Sequence, residues 1–338
     1  MIYHILRSWN DKNKDIYKKI NEIMYCILTL AFGFYYPFFI IHFGNNHPGI
    51  LFSTAIADFT FLGNLFIVGI IFIILLWALS AKIRTLRNPE LLKTENNYEI
   101  FKERFFEEYS KRNKLKRKCF HTIPFGVVGS VIIIYFLFSP LLGNRWFDYA
   151  RFSIVILGVD FAFTFIIGDL VRLLDFSYMP PIPAKLFRKA MVDIELDTFT
   201  STSVIVFGFG PFLFFDFPIF LIVLLIAAVA DACASVSGLL AKKKHHFPPK
   251  TDKTIEGYLG GIVFTFLCTV LGVSFTSLFG LSNWSIELTL FIAIVLSITF
   301  FFIDLFTSKF KIQDNYLNPL ISGGILLLTL YLLNIPLF

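Results

Sequence analysis

The sequence predicts an all-α protein, a polytopic transmembrane helical bundle, and three observations support this prediction. First, 56% of the 338 residues are hydrophobic and only 16% are charged, whereas about a quarter of a soluble domain is charged. Second, the apolar residues form runs close to the ~20 residues that a helix needs to cross ~30 Å of hydrocarbon. Third, lysine and arginine concentrate in every second gap between these runs. Since lipid offers backbone groups no partners, runs of this length are expected to be helices.

Nine runs are long enough to span, and we expect each to cross the membrane once. They are 23–43, 60–81, 123–143, 151–174, 198–215, 217–240, 257–280, 285–306 and 319–337. Charged residues precede the first run, which is long enough to remain as an uncleaved anchor.

The positive charge of the loops predicts an orientation for these spans. With the N-terminus in the cytoplasm, every lysine and arginine except Arg145 and Arg151 falls on the cytoplasmic side, as the positive-inside rule requires. The formal net charge of +6 is therefore read as loop charge and not as a signal for nucleic-acid binding. We expect an integral, multi-pass protein of a bacterial plasma membrane or an endoplasmic reticulum membrane.

The long loop after the second run contains a predicted amphipathic helix within 98–118. Phe101, Phe105 and Tyr109 recur at i, i+4 and i+8 among charged residues, a pattern typical of a helix that lies on the membrane surface. A solvated helical hairpin is the alternative.

Four aspartates fall inside predicted spans, where a central carboxylate costs ~2.5–3.5 kcal/mol on insertion scales. They are Asp160, Asp169, Asp231 and Asp304. Ser235 and Gly238 follow Asp231 at i+4 and i+7, on the same face of a helix. A packing seam of small residues would explain the alanines of this stretch, but not the aspartate.

Lys253 and Thr254 immediately precede the helix predicted for the seventh run. Thr254 is expected to cap the helix, and the free N–H groups of a helix start attract phosphate oxygens. A lysine beside such a terminus suits a polyphosphate, although a capped helix with a chance lysine is equally common. The sequence has no Walker A motif, so a P-loop enzyme is not expected.

Further polar residues flank the third and eighth runs. Asp304, Asp314 and Asn315 offer the oxygen ligands that Mg²⁺ takes, although an Asp-Asn pair before a proline is more often a turn. Arg117 and His121 stand with Lys118 at the mouth of the third run, where snorkelling is the alternative explanation.

Four short elements follow one another across residues 115–338. They are Arg117-Lys118-Cys119-Phe120-His121, Asp231-Ala232-Cys233-Ala234-Ser235 with Gly238, Lys253-Thr254-Ile255-Glu256-Gly257, and Asp314-Asn315 leading into Pro319. In order and spacing they resemble the CTP-dependent polyprenol kinase family, which includes dolichol kinase and phytol kinase and is related to phosphatidate cytidylyltransferases. Asp304 stands where such kinases usually carry a glutamate. The sequence lacks the Gly-His-Gly-Gly element of the cytidylyltransferases, which favours the kinase.

The resemblance implies a lipid kinase that transfers the γ-phosphate of CTP to a membrane isoprenoid alcohol of the dolichol, polyprenol or phytol type. It implies catalytic roles for Asp231 and Lys253. It places the nucleotide at Lys253, Thr254, Glu256, Gly257, Arg117 and His121, and Mg²⁺ at Asp231, Asp304, Asp314 and Asn315. Residues 1–114 would form a two-span region and 115–338 the catalytic membrane domain. The alternatives are a diacylglycerol kinase, a phosphatidate cytidylyltransferase and, in another class, a proton- or cation-coupled transporter.

Overall fold

The computed structural model describes residues 9, 15–46, 54–108, 118, 120–249, 251, 253–310 and 312–337. Every extended regular element in these residues is a helix, and no strand occurs in the part of the chain described. The predicted all-α class is therefore confirmed.

Twelve helices position the features discussed below. They are α1 (Ile16–Asn46), α2 (Thr54–Arg87), α3 (Leu91–Thr94), α4 (Tyr98–Glu108), α5 (Ile123–Leu137), α6 (Trp146–Leu174), α7 (Pro181–Ala190), α8 (Ser201–Phe209), α9 (Phe217–Leu240), α10 (Ile255–Leu278), α11 (Ile286–Phe310) and α12 (Asp314–Leu332).

Six helical segments among the described residues are long and apolar enough to cross a membrane, so the chain is an integral, multi-pass membrane protein. They are Phe61–Arg87, Ser139–Leu174, Phe217–Leu240, Ile255–Leu278, Ile286–Phe310 and Asp314–Leu332. The other three predicted spans also lie on helices, namely α1, α5 and α8. The count of nine spans and the cytoplasmic N-terminus stay predictions.

The chain divides into two compact units. Unit 1 comprises Met1–Arg117 and Phe152–Val204, and unit 2 comprises Lys118–Arg151 and Ile205–Phe338. The predicted division at residue 114 was made on motif content and stays a prediction about function.

Within unit 1, the apolar face of α4 packs against other parts of the protein. Phe101 and Phe105 are 2% and 1% exposed, in a cluster that includes Phe176, Met179 and Phe187. The helix was correctly predicted, but Phe101 and Phe105, which were expected to face the membrane surface, are buried against protein. The reason is that its partner segment lies more than sixty residues away along the chain, so local periodicity could not reveal it. Tyr109, the third residue of the predicted face, lies outside the described residues.

Within unit 2, α9 is the central helix, and Phe217–Leu225 is buried throughout. It packs against α10 and α12. At one end of this bundle the N–H of Asp216 donates to the carbonyl of Leu337 at 3.0 Å. The opposite end of the bundle holds Lys118, Asp231, Lys253, Asp304 and Asp314.

Candidate functional site

Asp231 lies inside α9, directly after a π-helical turn. The turn spans Ile226–Ala230, and π-helical insertions of this kind are frequent at functional sites. Asp231 is 3% exposed. Its Oδ2 accepts a hydrogen bond from the ammonium of Lys118 at 2.7 Å, which forms a buried ion pair. A buried carboxylate needs such a partner, because an unpaired charge in a low-dielectric interior is very costly.

Glycines let α9 and α10 approach closely beside this aspartate. A Cβ on Gly238 would lie 2.8 Å from the Thr254 hydroxyl, and one on Gly260 would lie 2.5 Å from the Ser237 hydroxyl. Gly257 faces the carbonyl of Ala234. The small residues after Asp231 are therefore a helix-packing seam, as the alternative interpretation of that stretch had it. Their functional consequence is indirect, because the seam brings the start of α10 against the end of α9.

The loop between α9 and α10 folds back on itself and fixes the position of Lys253. The N–H of Phe247 donates to the carbonyl of Lys253 at 3.2 Å, and the N–H of Ile255 donates to the carbonyl of His245 at 2.9 Å. Thr254 caps α10, as predicted, because its hydroxyl accepts from the N–H of Gly257 at 3.2 Å. Lys253 therefore emerges at the start of a helix from a backbone that is held on both sides.

Lys253 joins two carboxylates from different helices. Its ammonium pairs with Asp304 near the end of α11 and, at 3.1 Å, with Asp314 at the start of α12. Asp304 is only 5% exposed, whereas the side chains of Asp314 and Lys253 are 24% and 32% exposed. Burial alone would lower the pKa of Lys253, but the carboxylates of Asp314, Asp304 and Asp231 raise it above its usual value. The lysine is therefore a permanent cation at neutral pH. We call Lys253, Asp304 and Asp314 the Lys253 cluster.

The Lys253 cluster offers suitable ligands for the predicted Mg²⁺, but only a small number of them. Oxygen atoms of Asp304 and Asp314 converge on a single cation, and Mg²⁺ is usually held by one or two carboxylates together with substrate phosphates. Among the described residues, however, no group of three or more His, Cys, Asp or Glu is arranged to hold a metal ion. Two protein ligands completed by phosphate oxygens are what this geometry suits.

The amides at the start of α10 already have partners within the protein. The Ile255 N–H donates to the carbonyl of His245, and the Gly257 N–H donates to the hydroxyl of Thr254. The carboxylate of Glu256 turns towards the loop, where it contacts Nδ1 of His245 at 2.6 Å. In this conformation the cation of Lys253, more than the helix amides, is the group that is placed to meet phosphate.

The remaining predicted site residues are less directly placed. Asn315 is buried beside Asp314 on α12, and its carbonyl oxygen lies against Gly208. His121 is half-buried just before α5. Arg117 lies outside the described residues. The nucleotide-binding roles predicted for Arg117, His121 and Glu256 stay predictions.

Two buried polar residues of unit 2 were missed as site candidates. Lys118 was attributed to snorkelling, although an intramembrane Asp231 needs a cation and is itself the signal for one. Asn318 is 1% exposed, and neither of its amide atoms has a hydrogen-bond partner among the described residues. It stands four residues after Asp314, on the same face of α12.

The two other intramembrane aspartates belong to unit 1. Asp169 is bonded to Arg172 and Thr200. Asp160 is 7% exposed, and its two carboxylate oxygens have no hydrogen-bond partner in the described part of the chain. No structural role follows for Asp160.

Taken with the fold, this site defines a multi-pass helical membrane protein with an ionic cluster at one end of a helix bundle. The profile of the cytidylyltransferase family matches residues 53–313, well over half of the chain. The chain therefore belongs to the cytidylyltransferase family. The matched range includes Asp231, Lys253 and Asp304 and ends one residue before Asp314. No curated protein and no solved structure matches the chain.

Proposed function

We propose that this protein is a CTP-dependent lipid kinase that transfers the γ-phosphate of CTP to the hydroxyl of a membrane isoprenoid alcohol. Membership of the cytidylyltransferase family agrees with an enzyme that uses CTP in a membrane. The four motif elements resemble those of the polyprenol kinases, and this resemblance is the reason for proposing phosphoryl transfer and not cytidylyl transfer.

The observation that supports the proposal most strongly is the Lys253 cluster. Its lysine is a fixed cation and is about one-third exposed, while its carboxylates come from two further helices. Phosphoryl transfer depends on positioning and on neutralising charge more than on covalent chemistry. A cation held next to two carboxylates of the kind that bind metals supplies both requirements.

In the proposed reaction the oxygen of the lipid hydroxyl bonds to the γ-phosphorus, the bond to the β–γ bridging oxygen breaks, and CDP leaves. The proton of the hydroxyl passes to a carboxylate, and Asp231 is the candidate acceptor. Lys118 holds one of its oxygens, which fixes the orientation of the carboxylate. Lys253 binds the phosphates. Asp304 and Asp314 would hold Mg²⁺, which would supply neutralisation of the charge that develops on the phosphates.

The second candidate is cytidylyl transfer from CTP to phosphatidate, because the family match carries that name. In that reaction the phosphate of phosphatidate attacks the α-phosphorus of CTP, and pyrophosphate leaves. The Lys253 cluster would bind the nucleotide in either reaction, so the position of the transferred phosphorus decides between them.

The test uses CTP labelled at the α- or at the γ-phosphate, with purified protein and separate polyprenol, phytol, diacylglycerol and phosphatidate substrates. Transfer of the γ-label to an isoprenoid alcohol is the expected result. Label from the α-phosphate in the lipid product would establish cytidylyl transfer in its place. If the wild-type protein transfers neither label to any lipid, and so does no more than the Lys253→Met variant, the proposal is wrong.

A further inference from the structure

Lys253 occupies the position between Asp304 and Asp314 that a metal ion would need. Its ammonium touches an oxygen of each carboxylate. Asp304 is 5% exposed, and the nearby carboxylate of Asp231 adds further negative charge. Two carboxylates this close cannot both stay ionised without a cation between them. In this structure that cation is the lysine.

An ammonium and a divalent metal exclude each other from this position. Mg²⁺ binds oxygen ligands at about 2.0–2.1 Å and prefers octahedral geometry, so it cannot occupy the position between Asp304 Oδ1 and Asp314 Oδ2 while the ammonium of Lys253 lies there. Electrostatic repulsion between the ammonium and the metal ion in a partly buried site also disfavours binding of both at once. Metal entry therefore requires the lysine to leave.

The surroundings of Lys253 allow it to leave. It lies in the loop just before the cap residue Thr254, and its side chain is 32% exposed. Its four-carbon stem is flexible, and an ammonium can turn its three donors to new acceptors. Asp314 is 24% exposed, which gives an entering ion access to the cluster from the solvent side.

We propose that Lys253 keeps the metal position closed until polyphosphate draws its ammonium away, so that divalent metal binding depends on nucleotide. The source of the polyphosphate rests on the proposed function; the exclusion of metal by the lysine does not. Phosphate oxygens both compensate the charge of the displaced lysine and complete the ligand set of the metal, of which the two carboxylates supply only a part. Metal and nucleotide thus bind cooperatively, and each must raise the affinity of the other by the same factor.

The experiment measures Mn²⁺ binding to the purified, nucleotide-free, full-length protein by electron paramagnetic resonance. Wild-type protein is expected to bind Mn²⁺ weakly, and Lys253→Met at least about tenfold more tightly, within the usual range for coupled sites. Lys242→Met, which removes an exposed lysine of the same loop, should match the wild type. The double variant Lys253→Met, Asp304→Asn should lack this increase in Mn²⁺ affinity.

Thermal unfolding supplies a second measurement that does not require an active enzyme. Mn²⁺ should raise the melting temperature of Lys253→Met more than that of the wild type. In the variant Asp304 and Asp314 repel each other without a lysine between them, and bound Mn²⁺ would relieve that repulsion. Lys253→Arg retains a cation and should behave as wild type, which guards against misfolding of the methionine variant. CTP should raise the Mn²⁺ affinity of the wild type.

Equal Mn²⁺ affinity of nucleotide-free wild type and Lys253→Met would overturn the inference. So would a gain that persists after Asp304→Asn. Neither result depends on lipid or on turnover, so a failure here is separate from a failure of label transfer in the assay of the proposed function.

Discussion

Each unit contains an ionic cluster, and the two clusters differ in how far their side chains are exposed to solvent. In unit 1, the side chains of Asp169 and Arg172 are both 0% exposed and pair at 2.8 Å. Arg172 also donates to the carbonyls of Leu196 and Thr198. The second oxygen of Asp169 accepts from the N–H and the hydroxyl of Thr200, each at 2.8 Å.

The phenol of Tyr98 completes this closed network. It donates to the carbonyl of Leu196, and Arg172 donates to its oxygen at 3.4 Å. Burial, against the opposing charge of Arg172, raises the pKa of Tyr98 to about 12, so the hydroxyl keeps its proton. Every group in this network is saturated by protein, which leaves no capacity for a ligand.

In unit 2 the Lys253 cluster is open. Its cation is one-third exposed and has two carboxylate partners, while a third carboxylate is paired separately with Lys118. The contrast indicates a division of tasks: the closed network of unit 1 ties helix α6 to the segment 196–200, and the open cluster can exchange its partners. Four predictions test this contrast, in order of decreasing expected effect.

Arg172→Leu should cause the largest loss of stability. It removes the partner of a fully buried carboxylate, and breaking a buried pair in this way costs roughly 3–5 kcal/mol. Thermal unfolding in detergent, followed by circular dichroism, measures the effect. A melting temperature equal to that of the wild type would show that the closed network is not structural.

Lys253→Met should chiefly affect activity. Loss of a preorganised cation at a site of developing charge lowers kcat by about 10²–10³, whereas its partial exposure limits the loss of stability. The checks are label transfer and the melting temperature, with Lys242→Met as the control. Folded protein with undiminished transfer would remove Lys253 from the site.

Lys118 and Asp231 should show strong coupling. Lys118→Met leaves Asp231 buried without its cation, so combining it with Asp231→Asn should restore stability, with a coupling free energy of about 0.5–3 kcal/mol. Activity should stay low in the double variant, because the carboxylate is gone. Additive effects on the free energy of unfolding would mean that the ion pair contributes nothing specific.

Asn318→Leu should have the smallest effect, with the opposite sign. Replacing a buried amide that has no partner among the described residues by an apolar group of similar size removes a desolvation penalty. The melting temperature should therefore be unchanged or slightly higher. A clear decrease would indicate that Asn318 is bonded to a molecule or ion other than the protein.

Much of the fold followed from the sequence because membrane helices obey strong local constraints. Each of the nine apolar runs lies on helical structure, since length and hydropathy are local properties. The packing of α4 was predicted wrongly because Phe101 and Phe105 face a protein cluster built from distant residues, and an apolar stripe does not specify its partner.

The candidate site was predictable in its residue types and less so in its pairings. Thr254 as a helix cap follows from local rules. The convergence of Lys253, Asp304 and Asp314 follows from the packing of three helices, and the sequence only suggested that these residues lie at the same end. Lys118 and Asp231 are more than a hundred residues apart in the chain. The sequence therefore predicts that Asp231 has a cationic partner but does not identify which residue it is.

The central claim is that the Lys253 cluster receives the polyphosphate of CTP, and isothermal titration calorimetry tests it most directly. CTP should bind the wild type and Lys242→Met with equal affinity. Lys253→Met should bind it roughly 10–100-fold more weakly, which corresponds to the loss of one charge-assisted hydrogen bond. Equal affinity of all three proteins for CTP would contradict the account and move the nucleotide away from this cluster.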